Sequence, residues 1–224
     1  MPPAPRPQLF GGNLAFIAGF IDTVGFIALF GLFTAHVTGN FVLIGATLSD
    51  FSRAPVLLKF LAFPAFIAGI VLLRIAILKT RLPEGGALRL ALALEALLMA
   101  GFMVCGVLAT PVGDSVSGMA MAAGLLGTAA MGAHSAASKL LLPQLAPTSM
   151  MTGNVTQFAL DSTDILLGHA DAETRTRCTK FLWPLAAFAL GCTAGAFGYM
   201  WFGFWCILLP LAQLVFLWAA SRPA

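Results

Sequence analysis

Thr38-Gly39-Asn40 interrupts a long apolar stretch of this chain, and the same tripeptide returns as Thr152-Gly153-Asn154. The copies are 114 positions apart, and an aspartate follows each at the same distance, Asp50 in the first and Asp164 in the second. A polar break inside a lipid-embedded segment leaves backbone groups in need of partners, so it packs within protein or lines a wet cavity. Two such breaks at matched positions in two halves of a chain indicate a transporter-type site between the halves.

The composition places the chain in a membrane. Of its 224 residues, 59% are hydrophobic and 9% are charged, and the mean hydropathy is +0.94. Soluble domains carry about 25% charged residues, so this chain has too few charges for a water-exposed surface. The formal net charge of +3 is small and its basic residues lie between apolar runs, which gives no support to nucleic-acid binding.

The four cysteines form no CxxC pair, and three of them lie within apolar runs. They are therefore interpreted as small buried hydrophobic residues rather than as a zinc site or a disulfide framework. No metal and no cofactor are predicted.

The apolar runs predict an all-α, polytopic transmembrane bundle of about eight helices, because about 20 apolar residues are needed to cross the hydrocarbon core. Four helices in each half would make two parallel repeats, the first at residues 9–112 and the second at residues 113–222, after a disordered tail at residues 1–8. With eight spans, seven basic residues face one side and five the other, which favours cytoplasmic termini. The predicted helices cover residues 9–33, 37–49, 56–78, 88–109, 118–142 and 149–167, with two more in 181–220.

The candidate substrate- or ion-binding residues are polar or ionisable side chains within these apolar runs. Such groups are costly in a bilayer, about 2.5–3.5 kcal/mol for an aspartate at a helix centre, and usually face the bundle interior or a wet cavity. In the sixth helix three of them recur at helical spacing on one face. The nine candidates are Asp22, His36, Thr38, Asn40, His134, Thr152, Asn154, Gln157 and Asp161.

Each candidate also has a structural interpretation. A lone histidine is often a packing residue, and Asp50 and Asp164 lie beside loops, where they would mark helix ends. Asp22 is interpreted as functional: burial should favour its protonated form, a nearby donor such as Thr38 or His36 would oppose that, and the acid could exchange a proton during transport. Residues 22 and 36 would be about 21 Å apart along a continuous helix, so they can meet only across a break. For Glu95 the structural and functional interpretations are equally open.

These residues also resemble a known family. The stretches around Asp22 and residues 33–40 are similar to the first half of the YoaK-like membrane proteins, a family catalogued as a domain of unknown function, and residues 130–135 and 149–156 resemble its second half. The resemblance extends from about residue 11 to 218 and implies a multi-pass protein of the bacterial inner membrane with no established substrate. Two departures, His134-Ser135 in place of a Gln-Asn pair and Asn154 in place of threonine, imply different polar chemistry in the second half.

Three classes of function are consistent with this pattern. A small-solute transporter or permease with its site where the two halves meet is the leading hypothesis. A structural or regulatory membrane protein is the alternative, with a homo-oligomer possible in either case. An intramembrane enzyme is least favoured, because the chain contains no HExxH, GxSxG or Walker pattern.

Overall fold

The computed structural model describes residues 7–48, 56–113 and 115–221. All regular structure in these ranges is helical, as predicted for an all-α membrane protein. The elements are α1 (Pro7–Ala28), α2 (Gly39–Leu48), α3 (Val56–Thr80), α4 (Glu84–Ala109), α5 (Gly118–Leu141), α6 (Met151–Leu166), α7 (Ala172–Phe202), a 3-10 helix η1 (Gly203–Ile207) and α8 (Leu208–Ala220).

Four helical segments in the described ranges are long and apolar enough to cross a membrane. They are Leu9–Ala28, Val56–Thr80, Glu84–Ala109 and Ala172–Ala220. The last has 49 residues and reverses direction within itself, at Gly203, where the backbone adopts a positive φ of 54°. The residues around this reversal are mostly aromatic: Tyr199, Trp201, Phe202, Phe204 and Trp205.

Helix α5 is the central helix of the bundle. It has 24 residues but many are alanine or glycine, and most of its length is buried between α3 and α4. Small residues let helix backbones approach closely, which compensates for the lack of a hydrophobic drive inside lipid. The low hydropathy of α5 therefore reflects its interior position.

Helices α1 and α7 pack together through small residues. Gly191 of α7 faces the backbone carbonyl of Phe16 in α1, and Gly19 of α1 faces the carbonyl of Phe188 in α7. Gly195 lies against Phe20 in the same way, one helical turn further along both helices. From the Phe16–Gly191 contact to the Phe20–Gly195 contact the residue numbers increase in both helices, so α1 and α7 run in the same direction.

Helices α3 and α5 also pack through glycines that face backbone carbonyl groups of the other helix. Gly69 of α3 faces the carbonyl of Ala129, and Gly132 of α5 faces the carbonyl of Phe66. Leu58, near the start of α3, contacts Gly124, which lies near the start of α5. These two helices therefore also run in the same direction.

Helix α2 is too short to cross the membrane on its own. Its 10 residues span about 15 Å, half the hydrocarbon thickness of about 30 Å. After α1 the chain reverses at Phe30 and Gly31, whose φ values are positive, 57° and 72°. The buried Lys59 of α3 donates from Nζ to the carbonyl of Phe30 at 2.6 Å and holds this reversal in place.

The prediction of two parallel four-helix repeats is not confirmed and needs correction. It makes α4 and α8 equivalent, so they should run in the same direction. Instead Gly106 near the end of α4 packs on Phe204 just before α8, and Arg89 near the start of α4 stacks on Trp218 near the end of α8, 3.9 Å from the ring centroid. The helices are therefore antiparallel, which two parallel four-helix repeats do not allow.

The count of eight spanning helices is likewise not confirmed, since α2 and the 16-residue α6 do not qualify as spans. The domain boundaries at 9–112 and 113–222 stay predictions. Of the predicted tail at residues 1–8, only the last two positions are described, and they form the first turn of α1. Asp50 lies outside the described residues.

Candidate functional site

Asp22 anchors the return of the chain after α1. Its Oδ1 accepts hydrogen bonds from the backbone N–H groups of Thr34 and Ala35, both at 2.7 Å, and from that of His36 at 3.4 Å. The hydroxyl of Thr34 donates to the same oxygen at 3.3 Å. A buried carboxyl group needs hydrogen-bond donors, and the return segment provides them for Asp22.

His36 forms an acid–histidine pair with Asp22. Its Nδ1 lies 2.8 Å from Oδ2 of Asp22, and its ring stands edge-on to Phe188 of α7 at 5.4 Å between centroids. The side chain is 34% exposed, and Nε2 has no hydrogen-bond partner among the described residues. The hydrogen bond to Asp22 raises the pKa of His36 above 6.5, against the opposing effect of partial burial.

A cavity of about 440 Å³ lies beside this pair, between α1, the return segment and α7. Its walls are mainly aromatic and apolar, and residues from both halves of the chain contribute to it. The lining residues are Asp22, Thr23, Phe26, Phe33, His36, Gly39, Phe188 and Cys192.

A second acid–histidine pair lies in the other half of the bundle. His134 of α5 contacts Oε1 of Glu95 in α4 through Nδ1 at 2.8 Å, and the hydroxyl of Thr148 through Nε2 at 2.8 Å. All three side chains are buried. Both ring nitrogens of His134 are therefore occupied, which leaves this histidine without a free polar atom, in contrast to His36.

The asparagines of the repeated tripeptide have one structural role in both copies. Asn40 donates to the carbonyl of Phe33 at 2.8 Å and accepts from its N–H at 3.0 Å. Asn154 donates to the carbonyl of Pro147 at 2.6 Å, again seven residues back. Proline has no N–H, and Oδ1 of the buried Asn154 has no partner among the described atoms. The asparagines thus close each return segment onto the short helix that follows.

Gln157 and Asp161 do not join either histidine. The carboxylate of Asp161 is buried and accepts three hydrogen bonds from Arg177 of α7. Nη2 donates to Oδ1 at 2.7 Å, and Nε donates to both carboxylate oxygens at 3.1 Å. Gln157 donates to the same carboxylate at 2.9 Å. The guanidinium of Arg177 holds the pKa of Asp161 below its ordinary value, with a smaller contribution from Gln157. This group links α6 to α7.

Seven of the nine predicted residues therefore fall into three groups rather than one site: Asp22, His36 and Asn40 in the first half, His134 and Asn154 in the second, and Gln157 with Asp161 on α6. The other two, Thr38 and Thr152, are exposed, and their side chains form no hydrogen bond within the described residues. The prediction omitted Thr34 and Thr148, which carry the bonds to Asp22 and His134. They too are 114 positions apart, so the repeat contained the signal.

The described residues contain no group of three or more metal-ligating side chains, and their four cysteines are free. A family model described as a protein of unknown function (DUF1275) matches residues 10–220. The chain belongs to the DUF1275 family. This agrees with the resemblance seen in the sequence.

Among curated proteins, the DUF1275 chain is similar to the UPF0700 transmembrane protein YoaK of Bacillus subtilis (strain 168). The two are 34% identical over 89 residues, which cover 38% of this chain and 39% of that protein. No solved structure matches. These comparisons identify a membrane protein of a family without an assigned activity.

Proposed function

We propose that this DUF1275 protein is a small-solute transporter, not an enzyme, built from two repeats of inverted topology. The observation that carries the proposal is the equivalence of the α1–α7 and α5–α3 contacts. Adding 113 to the α1 positions, Phe16 and Gly19, gives the α5 positions, Ala129 and Gly132. Adding 122 to the α3 positions gives the α7 positions, from Phe66 to Phe188 and from Gly69 to Gly191.

The directions of the helices support an inverted relation. Gly11, near the start of α1, packs on Leu145, just after the end of α5, while Leu32, just after α1, packs on Gly124, near the start of α5. Helices α1 and α5 are therefore antiparallel, as are α4 and α8. Helices α1, α4 and α7 run one way and α3, α5 and α8 the other. The proposal counts α7 and α8 as two crossings and adds the 24-residue α5 to the segments that qualify as spans, which makes six crossings, three in each repeat. An odd number of crossings per repeat is what inverts the second relative to the first.

In this arrangement α2 and α6 are half-helices that follow the two return segments. Interrupted helices in corresponding positions of inverted repeats are where transporters hold substrates and coupling ions. Irregular backbone at membrane depth is tolerated where protein or a water-filled cavity covers it. Asp22 and Glu95–His134 satisfy the backbone and side chains at the two returns, and the cavity beside His36 includes Phe188 and Cys192 of the other repeat.

The distribution of basic residues supports cytoplasmic termini in a bacterial inner membrane. With six crossings, eight basic residues of the described ranges lie towards the side where α1 begins and α8 ends, and only Lys59 lies towards the other. For the same nine residues the eight-span arrangement gives four on one side and five on the other, and positive charge favours the cytoplasmic side. The eight residues are Arg74, Lys79, Arg81, Arg89, Lys139, Arg175, Arg177 and Lys180.

Cysteine labelling tests the inverted topology. Leu48 and Leu166 end α2 and α6 and are 55% and 85% exposed. In a background without native cysteines, we expect Leu48→Cys and Leu166→Cys to react with a membrane-impermeant maleimide from opposite sides, in right-side-out and inverted vesicles respectively. Labelling of both from one side would contradict the inverted repeat.

Transport is tested by reconstituting the purified chain in liposomes and measuring uptake of labelled small organic acids and neutral metabolites under an inward proton gradient. We expect uptake above that of protein-free liposomes, retained by Gly153→Ala, whose added methyl group meets only open space. If a folded, correctly inserted protein moves no solute in either direction, the structural or regulatory alternative takes the place of transport.

A further inference from the structure

We propose that the cavity beside His36 binds a small weak organic acid in its anionic form, with the apolar body between the aromatic walls and the carboxylate on Nε2 of His36. This inference rests on the proposed function and deepens it by naming the substrate class.

The shape and walls of the cavity suit a molecule with an apolar body. Its volume of about 440 Å³ lies within the range of small-molecule sites. Phe26, Phe33 and Phe188 form the walls, and the carboxylate of Asp22 is turned towards the return segment, where its donors lie. A ring-sized molecule with a single polar group matches these surroundings.

The polar end of the cavity favours an acceptor over a cation. Asp22 already accepts from three backbone N–H groups, a hydroxyl and His36, and its side chain is 7% exposed, so it is not available to bind an ammonium group. A protonated imidazole donates from both nitrogens. With Nδ1 on Asp22, the second donor, Nε2–H, is directed away from Asp22 and is free for a ligand.

The titratable groups around His36 agree with this assignment. Asp22 faces it from α1 and Cys192 lines the cavity from α7; no basic side chain of the described residues lines it. The carboxylate favours the imidazolium form of His36, and α2, which begins at Gly39 on the cavity wall, adds the positive end of its dipole. A bound anion would therefore meet the second N–H of an imidazolium whose charge is balanced by Asp22, and the partial positive charge at the start of α2.

The second histidine offers a matched control. His134 also pairs with an acid, but Thr148 occupies its Nε2 and the ring is buried. It has no free nitrogen for a ligand in this conformation. A substitution at His134 removes an acid–histidine pair without touching the proposed site.

Cys192 provides a reporter of occupancy, because it lines the cavity and is partly exposed. The experiment uses the full chain in lipid nanodiscs and measures the rate at which N-ethylmaleimide alkylates Cys192. The probes are benzoate, benzyl alcohol and benzylammonium, which share one ring and differ in charge. The other three cysteines are replaced by alanine: Cys105, Cys178 and Cys206.

We expect benzoate to slow alkylation about threefold or more at pH 6 and less at pH 8, and the other two probes to have little effect. His36→Gln, which keeps a side-chain donor for Asp22, should abolish the protection by benzoate, and His134→Gln should retain it. If His36→Gln does not fold, the pH dependence and the comparison of the three probes in the parent still decide the matter.

Equal or better protection by benzylammonium, protection by benzoate that is independent of pH and of His36, or no protection by any probe would overturn the inference. The result is separable from that of the uptake assay. Protection without uptake of any solute would support the anion site and contradict the transporter function. Uptake without protection by benzoate would support transport and contradict the anion site.

Discussion

Gly132→Ala tests the close packing of α3 on α5, on which the proposed repeat depends. The added methyl group would overlap the backbone carbonyl of Phe66, which is held in the hydrogen bonding of α3 and cannot rotate away. The two helices must therefore separate, and overpacking of this kind costs about 1–3 kcal/mol. Against this, replacing a helical glycine by alanine gains about 0.5–1 kcal/mol.

Gly153→Ala is the matched control, since it also lies within a helix but its methyl group would have no neighbour within 4 Å. It should gain the stability that alanine gives a helix over glycine, without a steric overlap between the methyl group and a neighbouring helix. Both variants gain the helical term, so they are expected to differ by the overpacking cost alone, about 1–3 kcal/mol.

The measurement is thermal unfolding in a mild detergent, followed by the reactivity of buried cysteines and checked by size-exclusion chromatography. Gly19→Ala, the equivalent change against Phe188 in the α1–α7 pair, should lower the midpoint by a similar amount. If Gly132→Ala and Gly153→Ala have the same stability, the helices do not approach each other as described, and the argument from equivalent contacts fails.

Two further predictions concern the second half. Pro147→Ala supplies an N–H that can donate to the unpartnered Oδ1 of Asn154; satisfying a buried acceptor is worth about 1–3 kcal/mol, and losing the proline costs about 0.4–1 kcal/mol. We therefore expect stabilisation in thermal unfolding, absent in an Asn154→Leu background; equal effects in both backgrounds would exclude this bond. Arg177→Gln should loosen α6 from α7. Because the pKa of Asp161 is lowered, its contribution to stability is present above its ordinary value of 3.8 and is lost as pH falls through the lowered folded value. The stability gap between parent and variant should close between pH 5 and acid pH, and a gap that is constant with pH would show that the carboxylate is not involved.

The sequence by itself determined the membrane class and the places where the helices are interrupted. With 9% charged residues a water-exposed surface is not possible, and the two Thr-Gly-Asn copies mark the two return segments. The distance between Asp22 and His36 predicts that they meet only across a break, and the reversal at Phe30 and Gly31 is such a break. These features are local, because they depend on composition and on spacing within a few turns of the chain.

The tertiary structure alone decided the direction of each helix and the partner of each polar group. Whether α2 crosses the membrane or returns within it depends on Lys59 and Asp22 holding the reversal, contacts that apolar runs do not encode. The same holds for Glu95, which finds His134 39 positions away, and for Asp161, which pairs with Arg177 rather than with a central cavity. A polar residue in an apolar helix must have a partner, but which one it has depends on how the helices pack, because the packing alone brings distant segments together.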